Sequence, residues 1–279
     1  MNRALTRASL TKVPEILVIF WLTKVATTAM GETTSDWLNG VLGPAIAIPL
    51  MLIALTWAMR RQFRADRYDA WTYWAVVVMV AIFGTSAADA LHVGLGVPYL
   101  DSTLFYAVVL AAILTAWHRT EGTLSIHSIY TRRREAFYWA TVLATFALGT
   151  AAGDMTATSL NLGYLGSIVL FAALIAVPFA GHRWFGLNAV LAFWAAYVLT
   201  RPLGASVADW AAVEPHRGGL GIGAGGASLV LAAVVFLLIR RLAKTKVDVR
   251  VEDDLDQAWM GSPAVRPSAS TLGRASGNV

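Results

Sequence analysis

One pattern occurs four times along this chain. An aromatic pair, Phe or Tyr followed by Trp, is separated by nine residues from a glycine and by four more from an aspartate. The copies are Phe20-Trp21…Gly31…Asp36, Tyr73-Trp74…Gly84…Asp89, Tyr138-Trp139…Gly149…Asp154 and Phe193-Trp194…Gly204…Asp209. All four match without a gap, at separations of 53 to 65 residues. Self-similarity at such a period marks a tandem-repeat architecture, so the chain is built from four related units.

What each unit can be follows from how little charge it carries. Of the residues, 57% are hydrophobic and only 14% are charged. A soluble domain carries roughly 25% charged residues. Uncharged stretches of about 20 residues, enough to cross a ~30 Å hydrocarbon core, recur throughout. The pI of 9.7 would suggest nucleic acid in a soluble protein. Here the basic residues fall in short loops between apolar spans, where they set orientation. With no cysteine in the chain, disulfides, thiolate chemistry and cysteine metal sites are excluded. A cleavage site after the first apolar run is absent, so that span is expected to stay as an anchor.

Taken in order, residues 1–13 are polar and basic, with Arg3, Arg7 and Lys12. Pro14 is expected to open the first helix, a position that suits a residue without an N–H. The remaining punctuation gives spans at about 45–59, 69–91, 102–117, 135–159, 163–180, 187–210 and a last one ending near Arg240-Arg241. The predicted fold is an all-α polytopic membrane protein with eight transmembrane helices. It is divided into a cytoplasmic N-terminus (1–13), a membrane domain (14–241) and a disordered cytoplasmic tail (242–279). The repeats are about 14–60, 68–118, 134–182 and 187–241. Of the 22 Lys and Arg residues, all but Lys24, Arg201 and Arg217 lie at the termini or in the loops after even-numbered spans. That bias predicts both termini in the cytoplasm. Because each repeat holds two spans, all four enter the membrane in the same direction, as parallel repeats. A pseudo-fourfold bundle and a pseudo-twofold pair of four-helix halves both satisfy this.

Four tandem two-helix units marked by a tryptophan resemble a bacterial integral-membrane family described as a repeat of unknown function, whose members carry the label "uncharacterised membrane-anchored protein". The starts of the first and last copies, KVPEILVIFW and FWAAYVLTRPLGASVADW, carry the resemblance most clearly, and it extends from residue 12 to about 241. It implies the repeat architecture and a bacterial inner membrane, and it implies no activity.

The repeated residues invite separate readings. Trp21, Trp74, Trp139 and Trp194 suit an aromatic belt at the cytoplasmic interface. Alternatively they face the interior with the aspartates, since Trp and Asp, 15 residues apart, fall within about 60° on a helix. Gly31, Gly84, Gly149 and Gly204 are expected to let neighbouring helices approach closely. At about 1.5 Å per residue, Asp36, Asp89, Asp154 and Asp209 lie ~30–39 Å along their helices from the preceding basic or proline markers, at the outer boundary of the hydrocarbon. They read either as ion- or proton-handling groups or as wetted interfacial residues that cap a following segment. Nearby hydroxyls, among them Thr33, Thr34, Ser35, Thr85, Ser86, Thr150 and Ser206, suit hydrated cations or ordinary helix contacts.

Single copies add further groups. Glu32 and Asp36 share a helix face, as do Asp89 and His92. These four form a candidate metal set of a kind that suits Mg²⁺ or Mn²⁺. Lys24 and Arg201 fall inside spans, where a bare charge costs at least ~2.5–3.5 kcal/mol. Glu32 is a candidate partner for Lys24. With the four aspartates and Glu32, the spans sum to a net charge of −3, which attracts cations.

The resulting expectation is an inner-membrane transporter or channel. It would handle a cation, such as a divalent metal ion, or a proton-coupled substrate, with Glu32, Asp36, Asp89, Asp154, Asp209, Lys24 and Arg201 as binding residues. The alternative is a non-transporting scaffold or sensor subunit, which a dry bundle with its carboxylates paired or at the surface would favour. An intramembrane enzyme fits least, because the five histidines are scattered. The expected partners are the lipid bilayer and a small ion or solute. Neither a cofactor nor nucleic acid is expected.

Overall fold

The computed structural model describes residues 11–249. The expected basic start with Arg3 and Arg7, and residues 250–279 of the expected tail, lie outside them. Among the described residues there are eight long helices and no strand. They are α1 (Val18–Leu42), α2 (Pro44–Arg64), α3 (Ala70–Asp89), α4 (Tyr99–Glu121), α5 (Arg132–Asp154), α6 (Gly163–Phe185), α7 (Ala189–Ala212) and α8 (Ala224–Thr245). Seven are long and apolar enough to cross a membrane. The first, α1, is lowered in hydropathy by Lys24, Glu32 and its threonines.

Local chemistry explains several boundaries. The carboxylate of Asp69 accepts from the Thr72 amide at 2.8 Å and so caps α3. Thr131 caps α5 through the Arg134 amide, and Asn188 caps α7 through the amides of Val190 and Leu191. Such side chains satisfy donors that a helix start leaves open. Gly43, at φ 74°, ends α1 in the left-handed region that glycine tolerates. α3 and α5 each continue into a five-residue π-turn, Ala90–Gly94 and Met155–Ser159, so Asp89 and Asp154 stand at the junctions.

The first helix starts later than expected. It begins at Val18, not Pro14, because the Glu15 amide is bound by the Asp248 carbonyl at 2.8 Å. That contact joins the segment before α1 to the segment after α8 at the loop side. Lys12 pairs there with the fully buried Glu135 at 2.7 Å, and Gln62 donates to the same carboxylate at 3.0 Å. α8 runs on to Thr245, and Asp248 is buried against Tyr68, whose hydroxyl donates to it. Burial holds the Asp248 carboxyl above the ordinary carboxylate range, and the Tyr68 hydrogen bond opposes that shift.

Packing sorts the helices into two layers. In the apolar windows of α3, α5 and α7, 50 to 67% of residues are buried, against 17 to 28% for α2, α4, α6 and α8. The outer helices turn large apolar side chains such as Ile53, Phe105, Val169 and Leu237 outward, as hydrocarbon requires. Inside, α1 packs on α3, α3 on α5, α5 on α7, and α7 returns to α1. Each outer helix packs mainly on the inner helix of the next repeat, and α8 packs on α1 to close the circle. Of the two arrangements the repeat allows, this cyclic order is the pseudo-fourfold one.

The four repeated glycines sit at the inner contacts. A methyl group added to Gly31 would meet Cβ of Ala81 at 2.3 Å; one on Gly84 would meet Phe146 at 2.8 Å. One on Gly149 would meet Arg201 at 2.1 Å, and one on Gly204 would meet Thr28 at 2.4 Å. Every one of these partners lies three residues before the next repeat's glycine. The expected close approach is therefore made four times, by one rule.

The aromatic pairs form a second shared layer. Phe20 packs on Trp74 at 5.6 Å, Tyr73 on Trp139 at 5.4 Å, and Tyr138 on Trp194 at 6.2 Å. The hydroxyls of Tyr73 and Tyr138 meet at 2.5 Å. Trp74, Trp139 and Trp194 are buried and Trp21 is half-buried. The interfacial-belt reading of the tryptophans is thus corrected: they fill the space between inner helices.

Gly31→Ala drives a methyl into the Ala81 backbone and should destabilise the protein by about 1–3 kcal/mol. Gly40→Ala has nothing within 4 Å, and should be neutral or stabilising by up to about 1 kcal/mol. Thermal unfolding of the purified protein in detergent measures both.

Candidate functional site

Close approach at the glycines brings the residues that follow them together. In three repeats that residue is polar: Glu32, Thr85 and Thr150. In the fourth it is Ala205, and that repeat instead sends in Arg201 from one turn earlier. Nη2 of Arg201 donates to Oε2 of Glu32 at 2.5 Å and to the Thr150 hydroxyl at 2.6 Å, and it also meets the Thr85 hydroxyl. Thr85 donates to the same carboxylate oxygen at 2.9 Å. Glu32 is 3% exposed and Arg201 0%. All four inner helices therefore contribute to, or border, one buried ion pair.

Lys24 lies beside this pair. Its ammonium is 4.0 Å from the ring centre of Tyr197 and 4.3 Å from that of Phe146. The Arg201 guanidinium lies over the same Phe146 ring at 5.0 Å. Desolvated cation–π contacts contribute about 2 kcal/mol each. That offsets only part of the several kcal/mol needed to take an ion out of water. Among the described residues, Nζ of Lys24 and Nε and Nη1 of Arg201 have no hydrogen-bond acceptor. The centre holds two basic groups and one carboxylate.

Several expected associations are replaced. Glu32 pairs with Arg201, not with Lys24, because the inner ring brings α7 to α1 at this level. Asp36 is exposed while Glu32 is buried, so the two do not converge on an ion. His92 places Nδ1 2.5 Å from the Val97 carbonyl and stacks on Tyr99 at 3.4 Å, as part of the turn after α3. Among the described residues no group of three or more His, Asp or Glu is arranged to hold a metal, so the set Glu32, Asp36, Asp89 and His92 is dispersed.

The net −3 of the spans also divides in space. Lys24, Arg201 and Glu32 occupy the buried centre, while Asp36 is exposed and Asp89, Asp154 and Asp209 are partly exposed. These four carboxylates repel one another and Glu32 across the end of the ring. The hydroxyls nearby serve helix contacts: Ser35 bonds Ser86 at 2.6 Å, Thr34 bonds Ser228 at 2.6 Å, and Ser206 returns its proton to the Pro202 carbonyl.

Two groups escaped sequence reasoning. Thr85 and Thr150 read there as neighbours of the aspartates, whereas they serve Glu32. The run GE, GT, GT, GA after the glycines is the signal that marks them. Glu135 is the other, since nothing local announces its partner Lys12, 123 positions away. Two cavities, of about 610 Å³ between α6, α7 and the Leu124–His127 segment and of about 430 Å³ beside Tyr68 and Asp248, do not reach the Glu32 centre.

Glu32→Ala leaves the Arg201 guanidinium buried and unpaired and should destabilise by about 3–5 kcal/mol. The double variant Glu32→Leu/Arg201→Met should recover most of that loss. A double-mutant cycle by thermal unfolding measures the coupling.

Known proteins offer one comparison. No curated protein and no solved structure matches the chain. Four consecutive segments, residues 19–68, 72–123, 137–186 and 192–246, match the family described as Repeat of Unknown Function (DUF347). Each segment spans one pair of helices, with the breaks in the loops between repeats. The chain is a multi-pass membrane protein and belongs to that family.

Proposed function

We propose that this protein is a carrier of the bacterial inner membrane, moving a small solute along the axis of the inner ring with a proton. The buried Glu32–Arg201–Lys24 centre carries this reading. Ionisable groups inside a membrane are costly, and they mark solute pathways or proton relays by default. Its surroundings fit a closed state. The aromatic layer with the Tyr73–Tyr138 contact lies on one side of the centre. On the other stand the four aspartates, whose negative field raises the local concentration of protons and other cations.

Orientation follows from charge and contact. Like residues of successive repeats meet at both the glycine and the aromatic level. That supports four repeats running in the same direction, with the basic loops and both termini in the cytoplasm. The aspartates then face outward. Opening of the Glu32–Arg201 contact would let α7 move relative to α1, which supplies the coupling. Pro202, directly after Arg201, removes a hydrogen bond from α7 where such bending is needed. In this reading the protein is not an enzyme and needs no resident cofactor.

A second reading, a non-transporting scaffold, is favoured by the tight contacts at the four glycines and by the pairing of Glu32. Lys24 and Arg201, two basic groups buried beside one carboxylate, weigh against it, since ionisable groups inside a membrane mark pathways by default.

Transport is tested by current measurements on proteoliposomes exposed to a panel of salts and weak acids across a pH gradient. At least one solute should evoke a current or a luminal pH change. Glu32→Gln and Asp154→Asn should abolish it in protein that still elutes as a single species. Silence of the wild type across the whole panel, or unchanged signals in both variants, would overturn the carrier reading.

A further inference from the structure

We infer that the buried centre binds one small monovalent anion, held between Lys24 and Arg201 beside the ring of Phe146. The argument begins with charge. Lys24 and Arg201 are each at most 1% exposed, and they repel one another. Among the described residues Glu32 is the one carboxylate bonded to either, and its contact is with a single nitrogen, Nη2 of Arg201. With Lys24 protonated the centre carries one positive charge in excess, which a single monovalent anion neutralises.

Hydrogen bonding points the same way. Lys24 Nζ, Arg201 Nε and Arg201 Nη1 are buried donors without an acceptor. Buried donors in native proteins are paired almost without exception. The other groups packed against Lys24 and Arg201 do not answer this need. The aromatic faces of Phe146 and Tyr197 accept no conventional hydrogen bond, and the hydroxyls of Thr85 and Thr150 are engaged with Nη2 and Glu32. Both cations lie against the Phe146 ring, which puts the two basic groups beside one side chain. The close packing around Gly149 and Gly204 leaves no room for a large occupant, so the small anions chloride, nitrite and formate are the probes of choice.

This site differs from the cation site that the summed span charge suggests, and it rests on geometry independent of transport. As cargo the anion rests on the carrier reading. A monovalent anion at the centre and a proton gathered by the aspartates would then cross together as an electroneutral pair.

The test is equilibrium binding to the full-length purified protein, with chloride, nitrite and formate as probes against gluconate at matched ionic strength. Ligand binding to the folded state raises the unfolding midpoint with the logarithm of concentration. The midpoint should rise saturably with at least one probe. Lys24→Met removes an unpaired charge, so it should fold, be at least as stable in gluconate, and lose the response or weaken the apparent affinity by roughly tenfold or more. Arg60→Met, at an exposed position on the loop side, should keep it. A wild-type midpoint indifferent to all probes overturns the proposal, as does an unchanged response in Lys24→Met. Saturable binding without flux in proteoliposomes would leave the site standing and remove its role as cargo.

Discussion

Four glycines with no room for a methyl group set the spacing of the inner helices, and the rest of the structure depends on that spacing. At each, the neighbouring repeat inserts the residue three positions before its own glycine. One rule applied four times closes a ring, because the last repeat finds the first. In a membrane, where apolar surface gives no net drive for helix association, such contacts between small residues must supply it. The outer helices then need only be apolar, which is why they show so little patterning beyond hydrophobicity.

The ring makes its own exception possible. Were the four repeats identical, equivalent residues would meet and like charges would face each other. Glu32 occurs in the first repeat alone and Arg201 in the fourth, adjacent members of the circle, so opposite charges meet across one contact while threonines complete the shell. Lys24, one turn nearer the aromatic layer, breaks the neutrality that this pair would have reached. The common pattern builds the frame and the departures from it build the site.

Much of this frame was legible in the sequence, because spacing within one helix is a local property. The repeat, the eight helices, the loops and the role of the glycines all follow from periodicity and composition. What failed were choices among partners. Glu32 was assigned to Lys24 as the charge nearest in sequence, whereas the ring supplies Arg201 from 169 positions away. The aspartates and their hydroxyls looked like one polar cluster, yet helix phase turns Ser35 and Ser86 toward each other and Asp36 outward. For Trp74 and Trp139 depth suggested an interface and helix phase the interior, and the closed ring decides for the interior space they fill. Pro14 had the chemistry of a helix start, but Glu15 is held by Asp248 from the other end of the membrane domain.

Ring closure is the claim on which both the ion pair and the anion site stand, and it can be read without knowing any substrate. The chain has no cysteine, so a pair introduced at Thr34 and Ser228 would be the only thiols present. Their hydroxyls are 2.6 Å apart, joining α1 of the first repeat to α8 of the last. Mild oxidation of the Thr34→Cys/Ser228→Cys variant in native membranes should form an intramolecular disulfide in most of the protein. After proteolysis in the loop between α4 and α5, the two halves should stay joined until reduced. Halves that separate without reductant, or cross-links found only between chains, would contradict the closed ring.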